Sequence, residues 1–161
     1  MINISEKLKG IKILAKKKDL ILSTAESCTG GLIAKYLTDL PGSSEFYDSS
    51  FITYSNSSKS LLLDVKNELI ETHGAVSKEV VIEMCKGLLL KNKANLGVSV
   101  SGIMGPSSDN TSKKIGLVWA CFNYKDQIKA YQFELTGSRS ENREAAAKTV
   151  IINLYDFINE L

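Results

Sequence analysis

Residues 20–40, LILSTAESCTGGLIAKYLTDL, decide the fold. The segment opens on a short apolar, β-compatible run from Leu20 to Thr24, then turns polar and glycine-bearing through Ala25-Glu26-Ser27-Cys28-Thr29-Gly30-Gly31. It closes on Leu32, Ile33, Tyr36, Leu37 and Leu40, whose three- and four-residue spacing marks one helix face. Strand, glycine turn and helix form the first unit of an α/β domain. A second such junction lies downstream, where the buried-strand composition of Leu96 to Val100 runs into Ser101-Gly102-Ile103-Met104-Gly105-Pro106.

Working outward, Ile4, Leu8, Ile11 and Leu14 or Ala15 predict an amphipathic helix over Asn3 to Lys18. Pro41-Gly42-Ser43-Ser44 is a turn, and Phe46 to Tyr54 has strand composition. Lys59 to Leu63 and Lys66 to Thr72 read as two short helices, and Ser77 caps a longer one to about Lys91. Ile115 to Tyr124 and Ile128 to Leu135 fit an antiparallel hairpin joined near Lys125-Asp126, followed by a helix from about Ser140 to Asn159. The pattern predicts a three-layer α/β/α domain over residues 1–161, on a mixed, mainly parallel sheet of about five strands. Open α/β sheets bind ligands at the carboxyl ends of their strands, where both glycine junctions fall.

Composition narrows the function classes. The chain has 161 residues, 43% hydrophobic and 24% charged, the balance of a folded domain. Its 20 basic and 18 acidic residues leave a net charge of +2, too little for a broad nucleic-acid footprint, so no direct nucleic-acid partner is expected. The run Lys16-Lys17-Lys18 suits a helix end, where carbonyls favour cations. The segment Met1 to Gly10 lacks a secretory pattern, and no apolar run approaches the ~18 residues of a membrane span, so a cytoplasmic protein with no membrane partner is expected. Cys28, Cys85 and Cys121 form no CxxC pair and His73 is the single histidine, so the expectation is chemistry without metal or cofactor.

Three places could carry that chemistry. The turn Glu26 to Gly31 feeds a helix N-terminus, whose free N–H groups attract a phosphate or an oxyanion; a plain N-cap by Ser27 or Thr29 is the competing reading. Tyr54-Ser55-Asn56-Ser57-Ser58-Lys59 ends the next strand, and a lysine one turn past a tyrosine can share its side of a pocket. A serine without a histidine base needs another proton acceptor; lysine serves when burial or a nearby cation lowers its pKa from ~10.4 towards ~7–8, and is otherwise a solvated cation. Cys28 is a rival nucleophile if the helix N-terminus depresses its pKa, with a small buried residue as the plainer reading. Arg139 and Arg143, four apart at the start of the last helix, can face one way and hold a phosphate, or be surface cations. His73, before Gly74, reads as a helix C-terminal cap.

In order and spacing, five segments resemble the CinA C-terminal domain family: Ala25 to Gly31, Pro41 to Ser44, Tyr54-Ser55-Asn56 with Lys59, Gly74-Ala75-Val76-Ser77, and Ser101-Gly102-Ile103 with Gly105-Pro106. The resemblance covers nearly the whole chain and implies a nicotinamide mononucleotide deamidase, yielding nicotinic acid mononucleotide and ammonia. It places the nucleophile on Ser27 and the base and its helper on Lys59 and Tyr54, with the proton passing to Lys59 directly or through Tyr54. It assigns substrate binding or oxyanion stabilisation to Thr29, Gly30, Gly31, Gly42, Ser43, Ser101, Gly102, Gly105, Arg139 and Arg143. The partners implied are a small pyridine nucleotide and further copies of the chain, as a dimer or higher homo-oligomer. Larger relatives carry an extra N-terminal domain resembling a molybdopterin-binding fold, and this chain resembles the stand-alone form.

The chain departs from that pattern at Met104, where alanine is usual. It departs again at Ser107 to Ser112, which lacks glycines, at Lys113-Lys114-Ile115-Gly116, which lacks a proline, and at Gly137-Ser138-Arg139, where Gly-Asp-Arg is usual. The altered loop sets up an alternative: a pyridine-nucleotide-binding module with weak or no turnover, linked to competence or DNA-damage functions.

Overall fold

Strand β1 (Leu22–Glu26) organises the sheet, pairing in parallel with β2 (Tyr47–Ile52) on one side and β3 (Leu96–Gly102) on the other. Strand β4 (Leu117–Tyr124) runs antiparallel to β3, and β5 (Gln127–Glu134) antiparallel to β4, giving the order β2-β1-β3-β4-β5. The sheet is mixed as expected: four of five strands point one way and only β4 is reversed. This computed structural model describes residues 3–108 and 110–161, so Met1, Ile2 and Asp109, the last within the polar stretch after Pro106, lie outside the described residues.

Helices cover both faces, as side-chain alternation requires. Val118, Ala120 and Phe122 of β4 point into a core built with α1 (Ile4–Lys17), α2 (Leu32–Thr38) and α6 (Arg139–Glu160). Trp119 and Cys121 point the other way, onto a core with α3 (Asn56–Leu63), α4 (Asn67–His73) and α5 (Lys78–Leu90). Strand β3 does the same: Val98 and Val100 enter the first core, while Ser99 donates its hydroxyl to the Val81 carbonyl of α5 at 2.6 Å. Each fully buried valine, leucine or isoleucine is worth roughly 1.5–3 kcal/mol, so the two cores hold the sheet from both sides.

Several boundaries differ from the sequence reading by one to three residues, and two of the differences bring residues to the site. Strand β1 begins and ends two residues later than Leu20 to Thr24, because all five of its residues are buried and its polar members find partners within the fold. Helix α3 starts at Asn56 instead of Lys59, because the Ser55 hydroxyl accepts from the Ser58 N–H at 3.0 Å and caps a turn whose composition reads as loop. Among the described residues no helix is long and apolar enough to cross a membrane.

Candidate active site

Three strand ends converge at one edge of the sheet. Ser27 follows β1, Thr53 and Tyr54 follow β2, and Ile103 to Gly105 follow β3. The capped helix α3 then turns back, so that Lys59 and Leu63, one turn apart, form its buried stripe. Leu63 enters the second core and Lys59 reaches beneath the strand ends. Its Nζ donates to Ser27 Oγ at 3.0 Å, to the Thr53 carbonyl at 2.8 Å and to the Tyr54 carbonyl at 3.5 Å. Ser27 is 7% exposed and Lys59 1%.

A cleft of about 200 Å³ opens above this pair, lined among others by Ser27, Tyr54, Lys59, Ser101, Gly102 and Arg139. Ser101, on the strand beside Ser27, donates to the Ala75 carbonyl at 2.9 Å, which ties the end of β3 to the segment before α5. Arg139 stands at the rim, donating to the Gly105 carbonyl at 2.7 Å and to Tyr54 Oη at 2.6 Å. The Tyr54 ring is 60% exposed, and its hydroxyl binds Arg139, not Ser27 or Lys59.

The helix N-terminus does attract an anion, but the anion is the chain's own. Glu26 Oε2 accepts from Thr29 Oγ1 at 2.6 Å, from the Gly31 N–H at 2.9 Å and from the Ile33 N–H at 3.2 Å; Oε1 accepts from the Ala34 N–H at 2.8 Å. The Gly30 N–H donates to the Ser27 carbonyl at 3.2 Å. Thr29 Oγ1 and the Gly30 and Gly31 N–H groups, read from the sequence as substrate ligands, are therefore spent inside the turn. Arg143 is spent there too: Nε donates to the Cys28 carbonyl at 3.1 Å and Nη2 to the Thr29 carbonyl at 3.0 Å, so only Arg139 of the two arginines lines the cleft.

Gly42 and Ser43 are not brought to the cleft. They precede β2 and so lie at the amino end of the parallel β1–β2 pair, where Lys12 Nζ donates to the Pro41 carbonyl at 2.5 Å. Cys28 lines the cleft, but burial pushes its thiol up to about 12, the reverse of the depression expected at a helix N-terminus. The thiolate is out of reach at neutral pH. His73 is the last residue of α4, and the cap expected of it falls on Gly74, whose N–H donates to the Ile70 carbonyl.

Sequence reading missed Glu26 as a structural carboxylate and Asn142 altogether. Asn142 is buried on α6, donating from Nδ2 to the Met104 carbonyl at 3.2 Å and accepting the Gly137 N–H at 2.8 Å. Its signal was a polar residue four before Ala146 and eight before Val150, on the apolar stripe of its helix. The departures from the family pattern also find partners. Met104 packs into the first core, its Cε 2.8 Å from where a Gly102 side chain would begin. Lys113 ties its loop to the end of α4, donating to the His73 and Val76 carbonyls at 2.5 and 2.6 Å. Ser138 sits at the N-cap of α6, a position serine and aspartate favour alike, and gives its N–H and its hydroxyl to Glu141.

The chain has relatives among known proteins. The family model described as the CinA C-terminal domain matches residues 5–158. A CinA-like protein of Fusobacterium nucleatum is 40% identical over 144 residues, which cover 89% of this chain and 35% of that protein. A CinA-like protein of Petrotoga mobilis is 43% identical over 144 residues, covering 89% and 36%. The chain thus spans about a third of the length of these curated relatives. Among solved structures, a CinA superfamily protein of Klebsiella pneumoniae superposes with a TM-score of 0.95 at 29% identity, covering 99% of this chain and 100% of that one. A competence/damage-inducible protein of Agrobacterium tumefaciens gives 0.91 at 36% identity, covering 97% and 95%.

Proposed function

The chain belongs to the CinA C-terminal domain family, and from that premise we propose that it is a serine–lysine amidohydrolase acting on the carboxamide of nicotinamide mononucleotide. The observation that carries the reading is the 3.0 Å contact between Lys59 Nζ and Ser27 Oγ, buried at the base of a cleft at the carboxyl ends of the strands. A lysine on the inward face of a short helix, bonded to a serine on a different strand end, is an arrangement that nucleophile activation requires and packing alone does not.

The reaction uses these atoms in turn. Lys59, as the neutral amine, takes the Ser27 hydroxyl proton while Oγ attacks the carboxamide carbon. Backbone N–H groups of the turn that follows Ser27 stabilise the oxyanion. The Lys59 ammonium returns the proton to the amide nitrogen, the C–N bond breaks and ammonia leaves. Water then gives a proton to Lys59 as it attacks the acyl carbon, and Lys59 passes that proton to Ser27 Oγ as the ester C–O bond breaks, freeing the acid and restoring Ser27. Arg139 is the cation assigned to the substrate phosphate, since it lines the cleft and Arg143 does not. Tyr54 orients Arg139 through its hydroxyl.

The test is ammonia release from nicotinamide mononucleotide by the protein and by Ser27→Ala. Turnover is expected in the first and its loss in the second, with the melting temperature retained. Persistence in Ser27→Ala would remove Ser27 from the nucleophile role. Nucleotide-dependent stabilisation without ammonia would mean a binding module instead.

A further inference from the structure

Glu26 stands one residue before the nucleophile, is 0% exposed, and has no part in the reaction as written. It is nevertheless among the most heavily bonded side chains of the site. Besides the four donors at 3.2 Å or less already described, Thr24 Oγ1 approaches Oε1 at 3.4 Å. Three of those donors are backbone N–H groups of residues 31, 33 and 34, so the carboxylate pins the far side of the turn to the end of β1.

Arg143 grips the same turn by its opposite polarity, taking the Cys28 and Thr29 carbonyls. Gly30 makes room for it: a side chain there would begin 2.8 Å from Arg143 Nη2. The turn needs such a hold, because Gly30 and Gly31 both lie in the left-handed region, at φ +58° and +100°, where glycine leaves the chain freest to pivot. Carbonyls held from one side and N–H groups from the other leave the peptide units between Ser27 and Gly31 little freedom to rotate.

We propose that Glu26 and Arg143 are a pair of positioning residues that fix Ser27 Oγ against Lys59 Nζ by clamping the 27–31 turn from two sides. Neither touches substrate, and Arg143 is in this role not a phosphate ligand. The proposal rests on Ser27 being the nucleophile, so its test reads Ser27 reactivity separately from substrate turnover. A misplacement of about 1 Å at a reacting atom costs on the order of 10²-fold in rate.

Phosphonylation of Ser27 by a fluorophosphonate is followed by mass spectrometry, alongside hydrolysis of nicotinamide mononucleotide and of its phosphate-free riboside. The proteins are wild type, Glu26→Gln, Arg143→Met and Arg143→Lys, each checked by melting temperature. Glu26→Gln keeps the shape of the side chain but turns an amide NH2 towards N–H donors. The expected result is an about 10²-fold fall in phosphonylation for Glu26→Gln and Arg143→Met, an equal fall in kcat on both substrates, little change in KM, and partial recovery in Arg143→Lys.

A folded variant labelled at the wild-type rate overturns the proposal. So does an Arg143→Met defect confined to the phosphate-bearing substrate, which would make Arg143 a ligand. If Glu26→Gln fails to fold, the Arg143 variants decide alone. A wild-type protein that neither labels at Ser27 nor releases ammonia refutes the nucleophile reading itself, whereas labelled wild type with unimpaired variants refutes only the clamp.

Discussion

Substituting Gly87 by alanine should damage the reaction far more than the fold, because Gly87 of α5 supports the helix that carries Lys59. A methyl group there would begin 1.9 Å from the Leu63 carbonyl oxygen and 2.8 Å from its carbon, both backbone atoms at the end of α3. Ordinary contact starts at 3.4 Å, so that end of α3 must retreat by about 1.5 Å. Lys59 lies one turn earlier on the same short helix, and its 3.0 Å bond to Ser27 would stretch beyond hydrogen-bonding range.

Overpacking costs roughly 1–3 kcal/mol, and alanine returns about 1 kcal/mol of helix propensity, so the net loss is about 0–2 kcal/mol, or no more than about 8 °C in melting temperature. The rate should fall about 10²-fold. Gly10→Ala is the control: its methyl would begin 2.4 Å from the Tyr155 ring on the opposite face of the sheet, so it should lower stability and leave kcat/KM alone. Ammonia release and thermal melting of the two variants measure both quantities. A folded Gly87→Ala protein with wild-type kcat/KM, or an equal rate loss in Gly10→Ala, would refute the reasoning.

Tyr54→Phe should lower kcat/KM by about tenfold at most, since it removes one hydrogen bond to Arg139 at the exposed rim and leaves Lys59 on Ser27; a loss of 10³-fold would put the phenol in the proton path. Stability should fall as pH rises from 9.0 to about 12, because the buried Cys28 thiol keeps its proton in the native state over that window while the unfolded chain loses it. That group contributes about 1.4 kcal/mol per pH unit there, so Cys28→Ala should flatten the alkaline fall of ΔG in denaturant titrations by that slope; an unchanged slope would contradict the burial argument. Native protein should also resist iodoacetamide near neutral pH, as all three cysteines are buried.

The parts of the fold that announce themselves locally were legible in sequence. The strand–turn–helix at residues 20–40, the hairpin about Lys125-Asp126 and the Ser77 cap each depend on neighbours a few positions away, and each is found. What the sequence concealed depends on distant partners. Glu26 looks like any polar turn residue until α2 is seen to aim its N–H groups at it, and Arg143 looks free until the carbonyls 114 and 115 residues away are found on it. The polar run Ser55 to Ser58 reads as loop, although its first serine caps α3 and thereby aims Lys59. The motif at Gly42-Ser43 belongs to the family pattern yet lies at the amino end of the strands, as its place between a helix and the following strand already signals.

One feature of the architecture explains why loops can carry so exact a site. Strands β1 and β3 are direct neighbours, and Ser27 extends their ladder by donating its N–H to the Val100 carbonyl at 3.1 Å, so the two glycine junctions rise side by side. A single helix can then span both. The first two turns of α6 spend three polar side chains on four carbonyls: Arg143 on Cys28 and Thr29, Asn142 on Met104, and Arg139 on Gly105. Beyond those turns α6 is anchored through the first core by Val150, Ile151, Leu154 and Phe157. The junctions are thus positioned by a helix whose own place is fixed by buried apolar area, which transfers core rigidity to backbone that Gly30, Gly31, Gly102 and Gly105 would otherwise leave free to pivot.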